Sequence, residues 1–422
     1  MYDIAVIGAG ICGASFAYKT SKYAKVLLIE GQDYDAQIPI RTNIFARHDK
    51  PYINDIFWND KNVFPRPFTQ LNYKSEKYDG LITASEFGTI PLGNIANTEV
   101  FIEKMVQKSI DNGSETRFNE RITKVTHHSD HLELINNEGE SYTCKLLALA
   151  TGSRGFELQR SLGFETPDSY MGISLNTEAN VDVLNENFPF QYMFHLNPNI
   201  SPNGPFFFNV GKGRLFTGFM GNKESPDQIK EKLKRILNNY QKIQPYLRGI
   251  NWDFSKVVIG NISKHPISKM SSDRVLVLGE AAGLVTAFFY EGMLPALASA
   301  DIASKMLEPL LNTNEPLSSS NLSKYDSEIK KQFLDGYFRN GNACEYLFYE
   351  NLSSLKSIWN AYTEMLVTNK TVRKLVYEVL MLENLLEYKT ENDRWVGEKL
   401  FAQLPFFSKA TLWPKFLKAM SF

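Results

Sequence analysis

Two short apolar runs open the chain: residues 2–7 (YDIAVI) and residues 25–30 (KVLLIE), the second ending in an acid. Runs of this length without polar alternation predict strands buried on both faces, as in a parallel sheet. Residues 8–13 turn the chain between them and residues 14–21 have helical spacing, so the pattern predicts a βαβ unit at the start. From about 31 to 93 the periodicity dissolves into Asn, Asp, Pro and aromatic residues. A stretch that long predicts short elements that contribute to a site. Helical spacing returns over 98–112 through Val100, Phe101, Met105, Val106 and Ile110, followed by strand-like runs at 121–126, 131–136 and 141–150.

Runs at 190–196, 205–210 and 214–220, with a charged helix at 226–240, predict an antiparallel lobe across 168–265. The pattern then reverts to a buried strand at 274–278, a Gly-rich turn and a long helix from about 291 to 311. Residues 312–323 (NTNEPLSSSNLS) are polar and read as a linker. Beyond them, 324–422 is mainly helical by spacing, with Trp359, Leu366, Leu375, Leu380 and Leu385 as expected core.

Composition narrows the class. Lysine plus arginine nearly balances aspartate plus glutamate, for a net charge of -1. No basic surplus or stripe exists to hold nucleic acid. Cys12, Cys144 and Cys344 form neither a CxxC pair nor a metal spacing, so neither a disulfide framework nor a metal site is expected. No apolar run approaches the ~18 residues of a membrane span, and the opening strand leaves no room for a signal peptide. The expectation is a cytoplasmic protein. Aromatic residues make up 13% of the chain, mostly core, with an apolar substrate tunnel as the second reading.

Three motifs carry chemistry. Gly8-Ala9-Gly10-Ile11-Cys12-Gly13 follows a strand and opens a helix, where free N–H groups and the helix dipole favour a pyrophosphate. Gly8 permits the tight turn, Gly10 the close approach of phosphate, and Gly13 close packing of helix on strand. Glu30, ahead of Gly31, ends the next strand at the distance ribose recognition requires, and a carboxylate there selects a free 2′-OH. The second motif, Ala150-Thr151-Gly152, closes the strand over 141–150. The third, Gly279-Glu280-Ala281-Ala282-Gly283-Leu284, follows the strand at 274–278 and leads to Glu291-Gly292-Met293. An acid at 280 suits a ribityl hydroxyl, and the following helix start suits a flavin's electron-rich edge.

In this order and spacing the motifs resemble the FAD-containing flavoproteins of the p-hydroxybenzoate hydroxylase fold, and within them the geranylgeranyl reductase family. That family's late motif reads Gly-Asp/Glu-Ala-Ala-Gly and then a loop ending Gly-Glu-Gly. The resemblance is strong over 1–30, 140–155 and 274–310. It implies FAD as cofactor and an α/β fold (α+β overall). The implied domains are a discontinuous Rossmann-like FAD-binding domain (1–165 and 266–311), an antiparallel β-sheet substrate lobe (166–265 with parts of 40–100), and a helical C-terminal region (324–422). Arg41 and Thr42 fall where relatives place an Arg against FAD. The chain departs from the family at Ala287 and Tyr290, where Pro and Gly are usual, and at Thr98, where an Arg is usual. The family's aromatic substrate signature has no counterpart; the nearest strand is 214–221.

No second GxGxxG follows residue 150, so a nicotinamide, NAD(P)H, is expected only as a transient electron donor; a protein donor is the other option. His127, His128 and His131 lie in a polar hairpin and read as surface residues, whereas His48 lies near the expected flavin. The aromatic end of the chain, with flanking lysines, reads as a core cap or subunit contact, the alternative being a peripheral membrane contact. The function expected is FAD-dependent reduction of a prenyl-type C=C bond in a small apolar or aromatic substrate, with Tyr290 as proton donor. The alternatives are an aromatic monooxygenase and a non-catalytic FAD-binding module.

Overall fold

The computed structural model describes residues 1–32, 41–53, 55–88, 90–221, 224–384, 387, 390–419 and 421; Leu385 lies outside them. Five strands form a parallel core in the order Val275–Val277, Ser141–Leu149, Tyr2–Ile7, Val26–Ile29, Glu115–Arg117. Every residue of Val26–Ile29 and Val275–Val277 is buried, because helices and loops cover both sides of the sheet. The strands Ile122–His127 and Leu132–Asn136 complete an antiparallel meander against Ser141–Leu149. Helix Ile11–Thr20 begins three residues before its apolar spacing does, since the phosphate turn is itself its first turn. It packs between helices Thr98–Asp111 and Met293–Asn312.

A second sheet has seven strands, ordered Val258–Lys264, Asp168–Glu178, Arg214–Met220, Phe206–Val210, Tyr192–His195, Gln70–Lys74, Asp79–Thr83. One pair breaks the expected antiparallel pattern: Tyr192–His195 runs parallel to Gln70–Lys74. That hairpin comes from the irregular stretch after Gly31, which also supplies Thr42–Ala46, Arg66–Phe68 and Gly93–Asn97 to a third, three-stranded sheet. Side chains of the second sheet alternate between two cores. Met193 joins Phe206, Phe208 and Leu233 on one side, the last from the charged helix Pro226–Asn239. Phe194 joins Tyr73, Ile358 and Trp359 on the other.

Trp359 comes from the C-terminal region, where helices Leu352–Thr368, Lys370–Met381, Thr390–Gln403 and Phe406–Ala419 cover that second side. The polar stretch 312–323 is not a free linker. Ser318 caps a helix that begins at Ser319, and the Arg274 N–H donates to the Leu317 carbonyl at 2.8 Å. From Lys330 to Phe338 the helix widens to a π-helix before continuing as Arg339–Phe348. No helix among the described residues is long and apolar enough to cross a membrane.

Candidate active site

The three motifs converge at the carboxyl ends of the parallel strands, where open α/β sheets form their ligand crevice. Three backbone bonds of 2.8 Å lace those ends together: Gly8 N–H to Ile29 O, Ala150 N–H to Ile7 O, and Leu278 N–H to Leu149 O. Gly8 has φ +100°, and a Cβ there would run into the Ala150 carbonyl. A Cβ on Gly13 would run into the Gly8 carbonyl, so helix and strand are as close as their backbones allow. Gly10 is different: nothing lies within 4 Å of a Cβ built there. Its helix starts at Ile11 with no side-chain cap and no acid in the first turn. This is an uncovered, positively polarised N-terminus with room in front of it.

Glu30 lies beside this turn, its carboxylate accepting from Ala9 N–H (2.8 Å) and Gln32 N–H (3.0 Å). Gly31 faces the side chain of Arg121. On the far side, Gly279 (φ +58°) backs onto Cys12 and donates its N–H to Ser299 Oγ at 2.9 Å. Glu280 accepts from Ser263 N–H at 3.0 Å, and its carboxylate lies against Gly152. Burial raises the Glu280 carboxyl above its ordinary range, opposed by the Ser263 N–H and the charges of Arg41 and Arg154. Burial likewise lowers Arg41, and Glu280 works against that shift. Gly283 (φ +73°) packs under the His265 carbonyl and is followed by the buried Leu284. The hydroxyls of Thr42 and Thr151 are buried without a partner among the described residues. Thr98 accepts from the Asn43 amide at 2.9 Å.

Below Met293 opens a cavity of about 530 Å³. Its walls come from Thr42–Ala46, the loop at 286–293, the second sheet and five C-terminal helices, from Arg339–Phe348 to Phe406–Ala419. Phe194, Phe288, Phe289, Trp359 and Tyr362 make it predominantly apolar. Phe289 stacks on Phe194 with centroids 4.2 Å apart. Four polar atoms of cavity-lining residues are buried and unpartnered among the described residues: His48 Nδ1, Asp49 Oδ1, Asn209 Oδ1 and Glu291 Oε2. Such atoms are costly to leave unsatisfied and normally meet a ligand or water. Glu291 is fixed through its other oxygen, which accepts from Met293 N–H (2.8 Å) and Leu294 N–H (2.9 Å). Burial still raises its carboxyl to about 7. Asp49 is raised well above the usual range, first by burial and then by the charge of Glu291. Burial pushes His48 down to about 4, so it is neutral near pH 7 despite its bond to the Val379 carbonyl.

Tyr290 lines the same cavity with φ +55°, a left-handed conformation that favours glycine. Its hydroxyl donates to the Asn203 carbonyl at 2.6 Å, so its proton is already engaged. The carboxyl groups of Asp49 and Glu291 were not among the expected catalytic residues. His48 stood out in the sequence as lying near the expected flavin, but nothing local places its neighbour Asp49 within reach of the charge of an acid 242 positions later. Leu375 and Leu380, expected in the core, are half-buried because they face the cavity. His128 and His131 stack on one another in an exposed hairpin.

The sequence profile of the pyridine nucleotide-disulphide oxidoreductase family matches residues 2–179. The digeranylgeranylglycerophospholipid reductase of Methanococcus vannielii is 25% identical over 78% of this chain and 83% of its own. That of Methanococcus aeolicus is 23% identical over 79% and 83%. Among solved structures, a geranylgeranyl bacteriochlorophyll reductase-like protein from Thermoplasma acidophilum superposes with a TM-score of 0.70 at 18% identity, covering 98% of this chain and 99% of its own. A p-nitrophenol 4-monooxygenase from Pseudomonas putida gives 0.68 at 13% identity, covering 92% and 99%. Together with the cradle of glycines at the strand ends, these relationships identify the chain as an FAD-dependent oxidoreductase of the p-hydroxybenzoate hydroxylase-like fold that resembles the geranylgeranyl reductase family.

Proposed function

We propose that the enzyme reduces a prenyl-type carbon–carbon double bond of an apolar substrate held in the cavity below Met293. The observation that carries this reading is an aromatic-walled cavity whose lining residues include two buried carboxyl groups, Asp49 and Glu291. An apolar substrate fits the walls, and reduction of an isolated double bond needs a proton beside the hydride.

The residues present fit FAD. Gly8, Gly10, Ile11, Cys12 and Gly13 would hold the pyrophosphate on the uncapped helix. Glu30 and Gly31 would take the adenosine ribose. Ala150, Thr151, Gly152, Arg41 and Thr42 would line the middle of the cofactor, where the unpartnered hydroxyls of Thr42 and Thr151 support a polar guest. Gly279, Glu280, Gly283 and Leu284 would follow the ribityl chain, and Gly292 and Met293 the ring. On this reading residues 1–165 and 266–311 form the FAD-binding domain, 166–265 with parts of 40–100 the substrate lobe, and 324–422 a helical region that closes the cavity. When bound and reduced, FAD supplies the hydride. The carboxyl pair, its protonated form favoured by burial and, at Asp49, also by the charge of Glu291, delivers the proton to the other alkene carbon. Tyr290 shapes the loop instead, because its proton is committed to Asn203. A transient NAD(P)H or a protein donor would reload the flavin, in the cytoplasm.

An aromatic monooxygenase is the second reading, favoured by the stacked rings of Phe194 and Phe289 and by the fold it shares with the p-nitrophenol enzyme. Oxygen reactivity separates the two. The flavin is reduced anaerobically, mixed with prenyl lipid or with a phenol, and then exposed to oxygen. Slow oxygen consumption that substrate does not accelerate supports the reductase; phenol-stimulated consumption with a hydroxylated product would replace it with the monooxygenase.

A further inference from the structure

Four large apolar side chains stand open to solvent on one short helix near the end of the chain. In Phe406–Ala419, Phe406 is 77% exposed, Phe407 82%, Trp413 51% and Leu417 52%. At 3.6 residues per turn, positions 406, 413 and 417 form one stripe, with 407 at its edge. Leu412 and Phe416 lie on the flank opposite Phe407, about 80–120° round the helix from that stripe, and are buried. The helix is therefore apolar on two sides, and one of them faces outward. Trp413 leans on Phe401 with centroids 5.1 Å apart, which fixes the outer stripe against the helix before it.

The charge on this helix has a single sign. Lys409, Lys415 and Lys418 are its only ionisable side chains. Among the described residues none of them pairs with a carboxylate: they reach the Ala402 carbonyl, the Asn351 side-chain oxygen and the Tyr346 ring. A second copy docking the same stripe would set lysines against lysines, which disfavours a two-fold self-contact. An anionic bilayer surface suits both features. Aromatic and leucine side chains enter the boundary between headgroups and acyl chains, and Lys409 and Lys418 meet the phosphates, while Lys415 is held by Asn351. With 14 residues the helix is about 21 Å long, too short to span the ~30 Å hydrocarbon core, so it would lie in the interface.

We infer that Phe406–Ala419 is an interfacial anchor that lays its outer stripe into an anionic lipid surface. The inner side of the same helix, through Phe416 and Ala419, walls the cavity. The element that meets the lipid is thus the element that closes over the cavity, which places the cavity wall at the bilayer.

Vesicle sedimentation of the full-length protein tests this with phosphatidylglycerol and phosphatidylcholine vesicles. The expected result is binding to phosphatidylglycerol, weaker binding to phosphatidylcholine, and at least about a tenfold loss of partitioning in the F406S/F407S double variant. Lys409→Glu with Lys418→Glu should weaken binding to phosphatidylglycerol and flatten its salt dependence. Phe406 and Phe407 are exposed, so the variant's circular dichroism and flavin spectrum should match the parent. No sedimentation with phosphatidylglycerol would overturn the inference, as would equal partitioning of F406S/F407S. A parent that self-associates through this stripe without binding vesicles would also overturn it. The outcome is independent of the reaction: vesicle binding without prenyl reduction counts only against the proposed function, and reduction of detergent-dissolved substrate without vesicle binding counts only against the anchor.

Discussion

Cys12 and Gly279, the centres of the first and last motifs, are in contact: a Cβ built on Gly279 would lie 2.9 Å from the Cys12 sulfur. The phosphate turn and the late Gly-rich turn therefore form one packed unit, although 267 positions separate them. Gly279 also needs φ +58°. Gly279→Ala should thus lower stability by about 2 kcal/mol or more, from left-handed strain plus the clash. Adding Cys12→Ala should relieve the contact with the sulfur and leave the strain and the 3.0 Å contact with the Cβ at position 12. A double-mutant cycle by denaturant unfolding measures this; strictly additive effects would mean that the two positions are uncoupled.

The carboxyl pair sets the expected pH response. The Glu291 carboxyl is raised to about 7 in the fold, above its ordinary 4.5. The native state therefore holds a proton that the unfolded chain has released. This contribution to stability is complete below about 4.5 and is lost as pH rises through about 7. Proton delivery needs the same protonated form, so single-turnover reduction should slow above about pH 7. Glu291→Gln should remove that inflection, whereas Asp49→Asn should leave it in place, because burial and not Asp49 raises the Glu291 carboxyl. Rates across pH 5–9 on the flavin-loaded variants check this (a range of about two units on either side of neutrality). An unchanged profile in Glu291→Gln would assign the proton elsewhere.

Tyr290 is expected to be structural. Tyr290→Phe removes one hydrogen bond to the Asn203 carbonyl and should cost about 1 kcal/mol of stability, with turnover within about threefold of the parent. A thousandfold loss of turnover with flavin binding intact would instead make Tyr290 the proton donor.

Glu30 is expected to anchor the cofactor's adenosine end. Glu30→Ala should weaken FAD binding by about tenfold or more, by removing a charged acceptor and leaving Ala9 N–H without its 2.8 Å partner. Titration of the apoprotein with FAD gives the dissociation constant directly. An unchanged value would place the ribose away from Glu30.

The C-terminal helices should govern substrate and not cofactor. Val376 lines the cavity from helix Lys370–Met381. Val376→Trp adds bulk inside the cavity and should raise KM for a prenyl substrate while leaving FAD affinity alone. A fall in FAD affinity with unchanged KM would mean that this wall serves the flavin.

Local chemistry is what the sequence expressed well. Gly8, Gly10, Gly13 and Glu30 declare a dinucleotide turn because glycine's freedom and a strand-ending acid are both short-range requirements. The buried strands at 2–7 and 26–29 declared themselves for the same reason: so short an uninterrupted apolar run, bounded by turn residues, suits a strand covered on both faces. Pairings across long distances left no such mark. Nothing near Tyr192 indicates a parallel partner in Gln70–Lys74, and nothing near Asp49 indicates Glu291. Leu375 and Leu380 carry core spacing, since facing an apolar cavity and facing a core need the same residues. At Tyr290 the departure from glycine was visible, but the left-handed backbone and its tether to Asn203 come only from the folded loop.

Prenyl reduction is tested most directly by an anaerobic single turnover: FAD-loaded enzyme, reduced and freed of reductant, is mixed with a geranylgeranyl lipid while the flavin's visible absorbance is followed and the product is weighed. The flavin should reoxidise without oxygen, with one double bond saturated for each flavin oxidised. In heavy water one deuterium should enter at the carbon protonated by the Asp49–Glu291 pair and a second at the other alkene carbon, because the N–H hydrogen of a reduced flavin exchanges with solvent. A flavin that stays reduced until oxygen is admitted, with the lipid unchanged, would contradict the proposed reaction.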